Sequence, residues 1–267
     1  MNSSAATASA VTAGTAAVAK ETEKRKQSKE SRAKNAEYRR RERRMVKGVI
    51  FDMDGTMFDT EHLSTVTWRM AGEKLNLDID DRLIESFRGG NPAQIRRLFS
   101  EALGPDVDYE YVKEVKHDFF EMLTKRDGIP IKKGLFELMD YLKEEQIPMA
   151  VATSTAHDRA VDIIRRAGAY EYLSACICGD AVEKSKPEPD IFWKAAEELG
   201  CRPCECLVLE DSTAGVLAGK AAGGYIIYIP DETDIPEEVL DGITARMGSL
   251  LEVIDWIKST NAEISSR

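Results

Sequence analysis

Four short stretches of the chain hold residues whose types and spacing could do chemistry. They are Asp52-Met53-Asp54-Gly55-Thr56, Thr153-Ser154-Thr155, Lys184-Ser185-Lys186-Pro187-Glu188-Pro189-Asp190 and Glu210-Asp211-Ser212. Together they offer several acids, a hydroxyl and an ammonium, and each has a task in phosphoryl transfer. A divalent cation screens the repulsion between an anionic nucleophile and a phosphate. Fixed donors hold the equatorial oxygens of the transferred group. A second carboxyl two residues from the first can serve as acid for the leaving oxygen.

Alone, each stretch has a plainer explanation. Asp-Gly after a strand is commonly a turn, because Asp bonds its own backbone and Gly tolerates positive φ. Thr153 could cap the helix that follows, and so could Asp211. Lys184 reads as a surface lysine, and Lys186 becomes more than that only through its place in the pattern.

The elements around these stretches decide whether they can meet. VKGVIFD (46–52) is an apolar run ending in a carboxylate, which reads as a buried parallel strand. IPMAVAT (147–153), ACIC (175–178), CLVLED (206–211) and YIIYIP (225–230) repeat the pattern. Helical segments lie between them: GLFELMDYLKEEQ, HDRAVDIIRRAGA, DIFWKAAEELG and STAGVLAGKAA. Strand–helix alternation implies a parallel sheet covered on both faces. The strand ends then lie along one edge, and the four stretches can converge there. One interval breaks the alternation. From Asp59 to about Asp127 there is helical periodicity only, as in TVTWRMAGEKL, AQIRRLFSEAL and YEYVKEVKHDFFEML. A helical bundle inserted here would sit over the carboxyl edge, where open α/β sheets bind ligands.

D-x-D-G-T, a strand-end Thr, K-P-x-P-D and E-D-S, in this order, resemble the four signature motifs of the haloacid dehalogenase superfamily. The match runs from residue 45 to about 255, and the helical insert resembles the branch with a helical cap. D-x-D-G-T alone arises about once in 10^5 windows by chance, and three further ordered motifs remove coincidence.

The resemblance implies an α/β fold, a Rossmann-like doubly wound parallel sheet with a small inserted α-helical cap. Residues 45–60 and 128–267 would be the core, 61–127 the cap and 1–44 a disordered charged tail. It implies that Asp52 attacks phosphorus to form an aspartyl-phosphate, while Asp54 protonates the leaving group and then deprotonates water. Mg²⁺ would bind Asp52, the Asp54 backbone carbonyl and Asp211, with Glu210 nearby. Thr153 and Lys186 would grip the phosphoryl oxygens, and Met57 and Phe58 would lie in a flap that gates the site.

The resemblance also separates reactions. Asp54 argues against dehalogenation, which has no leaving oxygen to protonate. Phosphonate cleavage in the superfamily likewise departs at the second Asp. β-Phosphoglucomutase, in the same branch, holds a distal phosphate with a cap arginine where this chain has Pro92, and has a histidine where this chain has Ser64. Hydrolysis of a small phosphate monoester is therefore expected, with a mutase as the alternative. Arg88 and Lys116 are the cap cations expected to reach the substrate. A degenerate member that binds a partner through its basic tail is a further alternative, but it fits poorly with an intact set of Asp52, Asp54, Lys186 and Asp211.

Charge narrows the partners. Residues 1–44 hold 12 Lys/Arg against 5 Asp/Glu, so the remainder carries −17 of a total of −10. An acidic body is a poor nucleic-acid surface. No stretch approaches the ~20 apolar residues of a membrane span. The first 20 residues lack the basic start and Leu/Ile/Phe core of a secretory signal, and the five cysteines are too few and clustered for a disulfide framework. A monomeric cytoplasmic protein is expected. Cys201-Arg202-Pro203-Cys204 has redox spacing but no second ligand pair, and His62, His117 and His157 share no pattern.

Overall fold

The computed structural model describes residues 46–87, 92–231 and 235–265. The basic tail and Arg88 lie outside these residues. Six parallel strands form one sheet in the order β3-β2-β1-β4-β5-β6. They are β1 (Gly48–Phe51), β2 (Met149–Ala152), β3 (Ala175–Ile177), β4 (Cys206–Glu210), β5 (Tyr225–Tyr228) and β6 (Ala245–Arg246). This is the doubly wound α/β fold, and its central strands β1, β2 and β4 are buried at every residue. A strand covered on both faces must be apolar at consecutive positions, which is why VIF, MAVA and CLVL are unbroken runs.

Side chains alternate between the two faces. Val49, Phe51, Val151, Leu207 and Leu209 join one apolar cluster, while Ile50, Ala150, Ala152 and Val208 join another. The first is covered by α5 (Leu135–Glu144), α6 (His157–Arg166) and α10 (Leu250–Ser265). The second is covered by α7 (Asp190–Glu198), α8 (Thr213–Ala222) and the short α9 (Glu237–Leu240). The chain therefore changes face after β3, and β1 and β4 become neighbours at the switch point.

Between β1 and β2 the chain first builds α1 (Thr60–Leu75), α2 (Asp81–Phe87), α3 (Pro92–Leu103) and α4 (Tyr109–Asp127). Their shared cluster is Trp68, Ala71, Ile79, Ile84, Phe87, Phe99, Tyr109, Val112 and Val115. Trp68 lies 5.3 Å from Phe87 and stacks on Tyr109 at 6.5 Å, and Tyr109 meets Phe99 edge-on at 5.2 Å. The N-terminus of α4 is closed by Asp108, whose carboxylate accepts from the backbone N–H of Glu110 and Tyr111. Phe120, further along α4, belongs to the sheet's cluster and not to the insert's. One helix thus contributes to two cores.

Four elements depart from the sequence expectation, the four-residue α9 among them. β6 is two residues long and too short to show a pattern. α2 has one buried face of two residues, Ile84 and Phe87, which is less than periodicity can reveal. α10 adds a third helix to one face, where Val253 and Ile257 are fully buried. Among the described residues no helix is long and apolar enough to cross a membrane.

Phe99 is fully buried at the centre of the aromatic cluster. Phe99→Ala should cost about 3–5 kcal/mol, the range for emptying a buried aromatic site. Because the insert has its own core, the loss should fall there. Hydrogen exchange should accelerate in α1 and α4 while β1 and β4 keep their protection; uniform acceleration would show a single cooperative core.

Candidate active site

The carboxyl ends of β1, β2 and β4 meet at one buried lysine. Lys186, from the loop between β3 and α7, donates to Asp52 Oδ1 at 2.5 Å, to the Ala152 carbonyl at 2.9 Å and to Glu210 Oε1 at 2.6 Å. An ammonium has three protons, and all three are used. Asp52 is placed by the ladder itself, since its N–H donates to the Leu209 carbonyl one step beyond β1. Thr153 is placed in the same way by Ile177.

Glu210 is fully buried. Its Oε2 accepts from the backbone N–H groups of Asp211 and Ser212 and from the Ser212 hydroxyl. Both of its oxygens are therefore engaged within the protein. Asp211 accepts from Thr56 Oγ1 at 3.0 Å. It does not cap the next helix: Ser212 does, through Gly215 N–H. Two glycines make this packing possible. A Cβ on Gly55, whose φ is +87°, would lie 2.1 Å from Asp211 Oδ2, and one on Gly215 would lie 1.8 Å from Glu210 Oε1.

Asp54 stands slightly apart. Its two oxygens accept from the hydroxyls of Thr60 at 2.6 Å and Thr155 at 2.8 Å. Thr153 Oγ1 accepts from Thr155 N–H, so it shapes the turn that presents Thr155. The 53–58 turn is closed by Met57 and Phe58 N–H groups on the Met53 carbonyl, and Phe58 bridges to Ile131. Met57 and Phe58 are fully buried in the sheet's cluster, so their side chains anchor this turn and do not line an opening.

The electrostatics follow from burial. Burial raises Asp52 well above the usual carboxylate range, against the pull of Lys186, and Glu210 adds to the rise. Asp211 is raised by burial, then by Asp52 and Glu210. Burial alone would depress Lys186, but Asp52 and Glu210 lift it above its ordinary value. Asp52, Glu210 and Asp211 each offer an oxygen within 4.8 Å of the others. One ammonium against three carboxylates, two of them buried, leaves negative charge uncompensated, which a bound divalent cation relieves. Oxygen donors without thiolate or imidazole suit Mg²⁺. The donor set therefore fits such an ion.

Thr56 and Thr155 lie in the stretches read from the sequence, and three further residues of this neighbourhood, Thr60, Asp231 and Arg159, lie outside them. Thr60 and Thr155 hold Asp54, and Thr56 holds Asp211. Asp231, one residue past the YIIYIP run, pairs with Lys132 at 2.6 Å and keeps its other oxygen buried without a partner. An acid after a fifth strand end could have been read by the same logic as the other four. Arg159, in the first turn of α6, lies close enough to Asp54 to be stabilised by its charge. Lys116 is brought near Asp54 as well, from α4. A concavity of about 740 Å³ lies elsewhere, on the insert beside Arg69, Asn76 and Asp78. Convergence of charge, and not cavity size, locates this site.

Residues 46–223 match the family model described as haloacid dehalogenase-like hydrolase. The chain is 31 % identical over 188 residues to a phosphorylated carbohydrates phosphatase from Thermotoga maritima, covering 68 % of this chain and 84 % of that protein. It is 28 % identical over 190 residues to a β-phosphoglucomutase from Bacillus subtilis, covering 69 % and 83 %. A solved structure described as a putative β-phosphoglucomutase from Thermotoga maritima superposes with a TM-score of 0.68 at 28 % identity, covering 80 % of this chain and 99 % of that one.

The buried network makes one substitution diagnostic. Gly215→Ala places a methyl against the Glu210 carboxylate, which must shift and release either Lys186 or the 211–212 backbone. Overpacking costs about 1–3 kcal/mol, and a broken buried ion pair about 3–5 kcal/mol. Urea unfolding should therefore show a loss of at least about 2 kcal/mol. Unchanged stability would mean that Glu210 is not fixed as described.

Proposed function

The chain belongs to the haloacid dehalogenase-like hydrolase family and is a phosphohydrolase enzyme, and from that premise we propose that it hydrolyses a small phosphate monoester through an aspartyl-phosphate. The observation that carries this reading is Asp52, held by Lys186 at 2.5 Å beside Asp211 and Glu210, with Asp54 fixed separately by two hydroxyls.

In this reading an Asp52 oxygen attacks phosphorus while the bond from phosphorus to the leaving oxygen breaks. Asp54, carrying a proton, gives it to that oxygen. Thr60 and Thr155 support either form, because a hydroxyl can donate to a carboxylate or turn to accept from a carboxylic acid. Asp54 then takes a proton from water, which attacks phosphorus, releases phosphate and restores the Asp52 carboxylate. Lys186 and Thr153 hold the phosphoryl oxygens. Asp52, Asp211 and the Asp54 carbonyl would hold Mg²⁺, which when bound supplies positive charge between nucleophile and phosphate. Glu210 fixes Lys186 and the 211–212 backbone and stands near the metal shell as a further carboxylate.

Named relatives support a sugar-phosphate-like substrate: one is a phosphorylated carbohydrates phosphatase and another a fructose-1-phosphate phosphatase. Residues 45–60 and 128–267 carry the chemistry in this proposal, and residues 61–127 form the cap that chooses the substrate. The enzyme works as a cytoplasmic monomer, without membrane or nucleic acid. The −17 of the body supports the last point. Pro92, which can supply no cation, favours water over a second sugar hydroxyl as the final acceptor.

Asp52→Asn should abolish turnover, because an amide forms no acyl-phosphate. Asp54→Asn should lose about 10²–10⁴-fold, the range for general acid–base catalysis. Steady-state rates within threefold of the native chain for either variant would remove the mechanism.

Chelation should stop phosphate release and Mg²⁺ should restore it, with Asp211→Ala raising the metal concentration needed for half-maximal activity. Given β-glucose 1-phosphate and a bisphosphate primer, the enzyme should release inorganic phosphate. Efficient formation of glucose 6-phosphate instead would establish the mutase reaction.

A further inference from the structure

Cys176 lies on β3 and Cys178 at its carboxyl end, two positions apart, so both side chains point to the same face of the sheet. Their sulfurs share a hydrogen bond at 3.5 Å. Cys178 is buried in the sheet's cluster, and Cys176 is half-buried against it. Neither thiol has a part in the proposed hydrolysis. Among the described residues β3 is an edge strand, paired with β2 alone. The other three cysteines fall before and at the start of β4, at the opposite end of the strands. There Cys201 donates to the Lys47 and Leu199 carbonyls and Cys206 to that of Arg202.

The two thiols are unequal. The hydrogen bond with Cys178 holds the Cys176 thiol below its usual range, and the thiolate is the reactive form. The same hydrogen bond, together with burial, raises Cys178. Cys176 is therefore the more accessible and the more reactive, and Cys178 stands behind it. On an extended chain the two Cα atoms are about 6.6 Å apart. That is near the upper limit of ~6.8 Å that a disulfide spans, so bonding the sulfurs shortens the strand end. A strained disulfide is readily reduced again.

The strand end that would move is bonded to the loop that holds Asp54. The Ile177 carbonyl accepts from Thr153 N–H, and Gly179 N–H donates to the Thr155 carbonyl at 3.1 Å. Thr155 gives its hydroxyl to Asp54 at 2.8 Å. Gly179 is packed so closely that a Cβ on it would lie 2.3 Å from the Ser154 carbonyl oxygen. Displacement of residue 178 must therefore reach residues 153–155.

We propose that Cys176 and Cys178 are a modification site for peroxide, joined by it in a reversible disulfide that draws Thr155 away from Asp54 and slows turnover. The Cys176 thiolate attacks a peroxide oxygen. An S–O bond forms, the O–O bond breaks, and hydroxide leaves and takes up the thiol's proton as water. The Cys178 sulfur then attacks the sulfenic sulfur. The S–S bond forms, the S–O bond breaks, and a second water leaves with the Cys178 proton. Two thiols lose two electrons and one peroxide becomes two waters. The effect on turnover rests on the phosphohydrolase reading; the disulfide does not.

The full chain with Mg²⁺ should be treated with hydrogen peroxide, alkylated and digested with trypsin. Both cysteines fall in one peptide, residues 167–184. It should resist alkylation and be lighter by two hydrogens, and dithiothreitol should restore both thiols. Oxidation should slow p-nitrophenyl phosphate hydrolysis at least about tenfold, mostly through kcat, since a 1 Å misplacement costs up to about 10²-fold. Hydrogen exchange should rise at 153–155 and 179–181 and stay level in β4. Cys176→Ser should keep the activity of the reduced chain and lose the response to peroxide. Cys178→Ala should do the same, and melting temperatures identify a variant that fails to fold. The proposal is overturned if the peptide stays open to alkylation, or if Cys176 stops at a sulfinic acid. It is equally overturned if the disulfide leaves activity and exchange unchanged, or if Cys176→Ser responds to peroxide as the native chain does. Failure of the reduced chain to hydrolyse p-nitrophenyl phosphate would instead overturn the phosphohydrolase reading, and the peptide map and hydrogen exchange would still judge the disulfide.

Discussion

A single buried ammonium ties this structure together. Lys186 reaches from the loop after β3 to acceptors at the ends of β1, β2 and β4. A lysine this deep is tolerable only if its protons are satisfied and its charge is balanced. That requirement sets where Asp52 points and where Glu210 must stand. Glu210 in turn uses its second oxygen to hold the 211–212 backbone, which aims Asp211 and begins α8. Gly215 has no side chain because that carboxylate occupies the space. The residues proposed to do chemistry are thus the same residues that close the sheet's edge, and neither set can be altered alone.

Charge is distributed along one direction through the site. At the sheet's edge carboxylates outnumber cations, which suits a metal ion and, through it, a phosphate. On the insert side two cations, Lys116 and Arg159, approach one aromatic ring. Asp54 lies between the two regions, attached to neither and held by neutral hydroxyls. In the proposed mechanism Asp54 gives and takes a proton, and a hydroxyl can donate to a carboxylate or accept from a carboxylic acid.

The insert is both independent and attached. Its aromatic cluster packs without help from the sheet, yet α4 also delivers Phe120 into the sheet's own cluster. Phe120 lies under both Lys116 and Arg159. The ring that joins the insert to the sheet therefore also supports the two cations that meet across the junction.

Much of this was determined by local pattern. Unbroken apolar runs ending in polar groups established the central strands, because a strand buried on both faces has no solvent-facing positions to leave polar. The order of D-x-D-G-T, Thr153, Lys186 and Glu210-Asp211 was legible for the same reason: in a parallel sheet every strand end falls on one edge. The two-residue β6 and the seven-residue α2 were not legible, since neither is long enough to express a period. What each polar group does was decided only by the tertiary structure. Glu210 reads in sequence as a metal-shell carboxylate, and the fold also uses it to hold Lys186 and the 211–212 backbone. Met57 and Phe58 read as a gate and are packed in the core. Arg159 drew no attention because nothing within its own segment marks it. Its surroundings come from a lysine 43 positions earlier, on another helix, and from the Phe120 ring that both cations approach. Hydrogen bonds and unmatched charges are relations between distant segments, and one chain read in order cannot express them until it is folded.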